Sequence, residues 1–153
     1  ITIILPAVVY GLTHKGLNVL TVNDYLSKRD WEETHVVYDW FGLSSAYVSH
    51  EMTPQAQQSG FNCDITYSTN STLGFAYLNS CLASGLGRDI KLITRPLHVA
   101  VIDEADEILM DDARNPLIIA SEKNLGDFLS TVEHNGIHYD IQFIIDQLKV
   151  LDE

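Results

Sequence analysis

The sequence predicts an α/β fold, a mostly parallel sheet flanked by helices. Three observations carry this prediction. Short runs of branched apolar residues alternate with longer helical stretches, as crossover units require. The runs are mostly apolar and rich in branched residues, which is the pattern of strands covered on both faces. The clearest of them, Leu97 to Ile102 (LHVAVI), runs straight into Asp103, Glu104 and Asp106.

Ile1 to His14 reads as a helix that is apolar nearly all round and therefore buried, with Gly16 as its C-terminal stop. Leu17 to Val22 (LNVLTV) is a buried strand. Asn23 or Asp24 caps a helix that runs to about Phe41, and Gly42 follows it. Leu43 to Val48 is a second strand, Pro54 to Ser59 a short helix or turn, and Asp64 to Ser68 (DITYS) a third strand. Asn70 or Ser71 caps a helix to about Leu82, and the Gly/Ser-rich stretch Ala83 to Gly87 reads as a loop. Leu97 to Ile102 is the next strand and Leu117 to Ala120 a further candidate. Past Ser121 the pattern weakens, and Ile137 to Ile145 (IHYDIQFII) fits strand or helix equally.

A length of 153 residues suits one domain with a real core, or one domain plus a stub. The hydrophobic fraction of 46% excludes a disordered chain. No apolar run reaches the ~18 residues of a membrane span. The opening stretch is too short, and lacks the basic flank and cleavage site, to read as a signal peptide. Cys63 and Cys81 have no CxxC or metal-ligand spacing and are expected to be reduced, in or near the core. Net charge is −12, with only nine Lys and Arg, and these are scattered. That balance opposes nucleic-acid binding, which needs a basic face, and opposes direct docking on anionic lipid.

The segment VIDEAD, Val101 to Asp106, carries the chemistry. A buried strand of a parallel sheet aims its C-terminal end at a nucleotide crevice. Asp103 there would hold Mg²⁺ through water, since magnesium prefers oxygen ligands and keeps several waters. Glu104 would orient and deprotonate the attacking water. Asp106 would bond to another motif. The competing reading is an acidic first turn of a helix, favoured by the macrodipole; the preceding strand tips the choice toward a nucleotide site. The partner motif Gly-x-x-x-x-Gly-Lys-Ser/Thr is absent. Gly11 and Gly16 have its spacing but are followed by Leu17 and Asn18, and they close a helix instead of opening one.

Three long stretches, in order, resemble the SecA family, the ATP-driven motors of bacterial protein export. They are TVNDYLSKRD (Thr21 to Asp30), DITYSTNSTLGFAYL (Asp64 to Leu78) and RPLHVAVIDEADEILMDDARNPLIIAS (Arg95 to Ser121). The opening TIILPAVVYGL is similar to the segment that follows the family's phosphate-binding loop. The resemblance implies a RecA-like P-loop NTPase motor half, here incomplete, over residues 1–121. It implies a stub of the inserted preprotein cross-linking domain over residues 122–153. It implies ATP and Mg²⁺ as cofactors, with Asp103 and Glu104 as catalytic residues and Thr69 and Asn70 near the nucleotide. It further implies preproteins, the Sec membrane channel and a second motor domain of the same parent chain as partners, no nucleic acid, and a cytoplasmic place on the inner face of the cell membrane. A piece lacking the loop and the second motor half is expected to turn over little or no ATP.

The chain departs from the family at two places inside these stretches. Ala105 stands where the family usually has Val, and Ala76 where it commonly has Asp in GFDYL. With a less family-like Ala83 to Thr94, these departures point to a divergent or accessory member. Two other classes stay open. The DEAD letters fit an RNA helicase half, and the missing loop fits a protein-interaction module without catalysis.

The remaining marked residues have plainer readings. Asn70 reads as a helix cap and Gly74 as a close-packing site. Lys28, Arg29 and Asp30 read as a solvated face, and Arg114 as an exposed residue of the exit segment. His134 and His138 have no third ligand nearby, which opposes a metal site. Trp31, Tyr38, Trp40 and Phe41 recur at helical spacing and are expected in the core.

Overall fold

The computed structural model describes residues 2–86, 91–112 and 117–118, together with 133–134 and 137–138; for 84–86 and the last two pairs it describes the backbone alone. The chain divides into two compact units, Ile1–Ile118 and Ile119–Glu153. The first runs α1 (Ile4–Gly11), β1 (Leu17–Thr21), α2 (Asp24–Trp40), β2 (Ser45–Tyr47), α3 (Pro54–Phe61), β3 (Ile65–Thr69), α4 (Asn70–Leu86) and β4 (Val99–Ile102), followed by a π-helical turn, Glu107–Asp111. In the second unit the described strands are β5 (Glu133–His134) and β6 (Ile137–His138), an antiparallel pair.

The four strands of the first unit form one sheet of order β2-β3-β1-β4, parallel throughout. β1 and β3 are buried along their whole length, so side chains on both of their faces must be covered. Leu17, Val19, Ile65 and Tyr67 pack on one side with Ala7 and Val8 of α1 and Tyr38 of α2. Leu20 packs on the other with Phe61 of α3, Leu73 and Ala76 of α4, and Ile108. The helices therefore cover both faces of the central strands, and the predicted parallel architecture is the observed one; β4, expected as a buried strand over Leu97 to Ile102, is instead a four-residue edge strand with Ala100 exposed and the rest only partly buried. Burying each large apolar side chain contributes roughly 1.5–3 kcal/mol, which concentrates the stability in β1 and β3.

Local signals explain most boundaries. The Asn23 side chain accepts the Leu26 N–H at 2.9 Å and starts α2. Phe41 closes that helix, and Gly42 takes the left-handed conformation at φ +71°. Thr53 caps α3 ahead of Pro54.

Several expectations are corrected. α1 is shorter than Ile1 to His14, ends at Gly11 instead of Gly16, and is not buried all round. Ala7, Val8 and Gly11 are buried, whereas Leu5, Val9 and Leu12 are exposed; only one stripe of a helix can meet a sheet. The second strand is trimmed to Ser45–Tyr47, with Leu43 and Val48 buried just outside it. The Ala83 to Gly87 loop is helix as far as Leu86, because Leu and Ala favour the helix enough to carry Ser and Gly within it. Thr69, not Asn70 or Ser71, caps α4, its Oγ1 accepting the Thr72 N–H at 3.1 Å. Tyr38 is fully buried and Trp31 partly, but Trp40 and Phe41 are exposed, Trp40 at 81%, because they lie at the outer end of α2. Cys81 is exposed and not near-core. Leu117 and Ile118 carry no regular structure; Ala120, Arg114 and most of Ile137 to Ile145 lie outside the described residues.

Candidate functional site

The C-terminal ends of β3, β1 and β4 lie in register. Thr69 pairs with Thr21, and Leu20 pairs with Ile102. The Asp103 N–H continues the β1–β4 ladder by donating to the Leu20 carbonyl at 2.9 Å, which sets Asp103 level with Thr21. Strands stand about 4.8 Å apart. Thr69 and Asp103 thus flank Thr21 along one edge of the sheet, with backbones roughly 10 Å apart. This edge is where ligands enter open parallel sheets.

Asp103 and Glu104 are exposed there. Asp103 Oδ1 accepts the Glu104 N–H at 3.1 Å. Glu104 has φ +53°, a left-handed conformation that an L-residue with a full side chain enters only at a cost. Its carbonyl accepts N–H bonds from Glu107 at 3.1 Å and Ile108 at 3.2 Å, so the bend feeds directly into the following turn. Ile108 is buried. Asp106 is exposed and its side chain caps nothing, so the expected bond to another motif is not made among the described residues.

Thr69 and Asn70 reach the same edge but are already engaged. The Thr69 hydroxyl is buried, caps α4 and bonds the Thr72 hydroxyl at 2.8 Å. Asn70 Nδ2 donates to Asp112 Oδ2 at 3.2 Å. Asp112 was not singled out in the sequence. It lies 42 residues from its partner, and no local pattern marks such a contact.

The donor set fits Mg²⁺ of a particular kind. Among the described residues no group of three or more His, Cys, Asp or Glu is gathered to hold a metal. A dedicated protein cage is therefore not what these residues build. A single exposed carboxylate at a strand end suits an ion that takes its other ligands from water and phosphate oxygens.

Two further features lie outside the acidic pair. A cavity of about 680 Å³ opens between α3, α4 and the connection after β2, lined by His50, Met52, Gln57, Thr72, Phe75 and Ala76 among others. None of Asp103, Glu104, Thr69 or Asn70 lines it, although Thr72, which does, bonds the Thr69 hydroxyl. At the opposite edge of the sheet, the Asp64 carboxylate accepts bonds from Ser44 N–H at 2.9 Å, Ser44 Oγ at 2.7 Å and His14 Nδ1 at 2.9 Å. Burial works against the Asp64 charge, but these donors outweigh it and hold its pKa below the ordinary value. This cluster ties three connections together where strands begin, remote from any ligand edge. Its residues carry no sequence motif.

Comparison with known proteins agrees with the geometry. The model of the SecA DEAD-like domain matches residues 1–141. A protein translocase subunit SecA of Cyanothece is 45% identical over 118 residues, covering 77% of this chain and 12% of the relative. One from Nostoc is 45% identical and covers 97% of the chain and 16% of the relative. Protein translocase subunit SecA 1 of Corynebacterium efficiens is 46% identical over 78% of the chain and 14% of its own length. The chain therefore spans between 12% and 16% of the length of these relatives. The parallel sheet, the acidic end of β4 and these matches together establish that the chain belongs to the SecA DEAD-like domain family.

Proposed function

We propose that this chain supplies the magnesium-holding part of an ATP-hydrolysing motor domain that drives preproteins through the Sec membrane channel. The observation that supports it best is the placement of Asp103 and Glu104 at the end of β4, on the edge where β1 and β3 also end. Bound Mg²⁺ would neutralise charge on the transferring phosphate. Asp103 would hold that ion through water; its backbone is fixed by the ladder bond to Leu20 and its Oδ1 by the Glu104 N–H. Glu104 orients the attacking water and takes its proton. Thr69 and Asn70 shape the edge opposite. The 153 residues contain no Gly-x-x-x-x-Gly-Lys-Ser/Thr sequence, so the backbone cradle and lysine for the β- and γ-phosphates come from another segment of the working protein. A second motor domain completes the site, and residues 122–153 begin the preprotein-binding insertion. The working protein sits in the cytoplasm on the inner face of the membrane and binds no nucleic acid. Among the described residues no helix is long and apolar enough to cross a membrane.

The test is calorimetric titration of Mg·ATP into the 153-residue chain and into a longer form carrying the phosphate loop ahead of α1. The longer form should bind, and Asp103→Asn should weaken it roughly tenfold or more, about 1.4 kcal/mol. The short chain should bind far more weakly and show no turnover. If neither form binds, the ATPase reading fails and a protein-interaction module takes its place. If hydrolysis by the longer form rises with RNA, the helicase reading does.

A further inference from the structure

We propose that Asn70 and Asp112 form a clasp that positions Glu104, and that the seat of Leu117 on Gly74 is its second attachment. A left-handed glutamate persists only where its surroundings fix it. On the upstream side the fixing is visible in the Asp103 N–H bond to Leu20. Downstream, the Glu104 carbonyl accepts from Glu107 and Ile108, and Ile108 is sunk into the cluster that contains Leu73 and Ala76 of α4. The chain then makes a π-helical turn, a wider winding that recurs at functional sites. The turn ends at Asp112, whose carboxylate takes the Asn70 amide at 3.2 Å. One helical turn along α4, a Cβ on Gly74 would collide with the Leu117 side chain. The segment leaving the acidic strand is therefore attached to the same helix at two points. Asn70 touches Asp112 and acts on Glu104 through it, which makes it a positioning residue. This role rests on the nucleotide reading above.

The test uses the full protein in which this domain works, with Asn70→Asp, Asp112→Asn and the two combined. Asn70→Asp sets carboxylate against carboxylate. Aspartate suits a helix start, so α4 itself is not weakened. The double variant restores one donor and one acceptor. Two quantities are read: hydrogen exchange at the Glu107 and Ile108 amides, and the separate effects on kcat and on KM for Mg·ATP. In Asn70→Asp, exchange should quicken roughly tenfold, the scale of one charge-assisted hydrogen bond. Its kcat should fall by a similar factor with KM little changed, and the double variant should recover both. Unchanged exchange in Asn70→Asp overturns the clasp whatever the activity does. Faster exchange with undiminished kcat overturns the positioning role. A kcat loss that the swap does not rescue also overturns it, because Asn70 then meets the nucleotide directly. If the unmodified protein hydrolyses no ATP, the nucleotide reading fails and the positioning role with it, while the exchange result still decides whether the clasp exists.

Discussion

Replacing Glu104 by glycine should be better tolerated than replacing it by alanine, the reverse of the usual order. At φ +53° an L-residue is penalised by about 1–2 kcal/mol. Glycine escapes that penalty but gives up roughly 0.5–1 kcal/mol of extra chain entropy on folding. The difference leaves Glu104→Gly more stable than Glu104→Ala by about 0.5–1 kcal/mol. Both variants lack the carboxylate, so charge and side-chain contacts cancel in the comparison. The backbone bond from residue 104 to Asp103 Oδ1 survives in both. Glu107 is the control. It is exposed and lies in the following helical turn, where alanine should beat glycine by about 1 kcal/mol. Thermal unfolding is sensitive enough, since 1 kcal/mol shifts Tm by about 2–4 °C in a chain of this size. If alanine equals or exceeds glycine at position 104, the bend is not strained, and Asp112 and Asn70 have no strain there to restrain.

Two further outcomes follow from buried polar contacts. Tyr67 and Tyr38 share a hydroxyl–hydroxyl bond of 2.6 Å inside the core, and burial pushes the Tyr67 pKa up. Tyr67→Phe strands the Tyr38 hydroxyl and should cost roughly 1–3 kcal/mol, whereas adding Tyr38→Phe should recover much of that loss; chemical denaturation of the single and double variants checks it. Asp64 has a lowered folded pKa, so its stabilisation is fully present above the ordinary carboxylate value of about 3.9 and is lost as pH falls through the lowered one. Asp64→Asn should therefore reduce stability by roughly 1–2 kcal/mol at neutral pH, with the gap to the unmodified chain closing as pH falls below the ordinary carboxylate range, measured as Tm against pH.

The parts of the fold that could be read from the sequence are those whose determinants are local. β1 shows as a mostly apolar, branched run because both its faces are covered, and Asn23 shows as a cap because its partner is three residues away. The acidic end of β4 is legible for the same reason, since strand and carboxylates are contiguous. The exposure of Leu5, Val9 and Leu12 was not legible, because periodicity reports which residues are apolar and not what meets them. Trp40 misled in the same way: helical spacing places it on a stripe, but its position at the end of α2 carries it past the sheet. The clasp partner Asp112 and the His14–Asp64–Ser44 cluster depend on contacts between residues far apart in sequence, and a single sequence carries no signal for them. Nor does any residue type announce the bend at Glu104, since left-handed positions are sought at glycine and asparagine.

A glycine would relieve the backbone at position 104, yet the sequence places there a side chain that is exposed and makes no contribution to the core. Four neighbouring groups hold it: the Leu20 carbonyl, the buried Ile108, and the Asn70–Asp112 pair. A domain serving only as a binding surface has no use for a strained carboxylate restrained from both sides. A domain that must present a base to a water beside a metal-bound phosphate does, because a general base works only within hydrogen-bond reach of its proton. Strain of this kind is retained where its removal would cost the reaction more than it returns in stability. The left-handed glutamate therefore favours the hydrolytic reading over the interaction module on grounds independent of the family match. Glu104→Gly separates them: a more stable chain without turnover in the full protein fits a catalytic glutamate, and undiminished turnover rules it out.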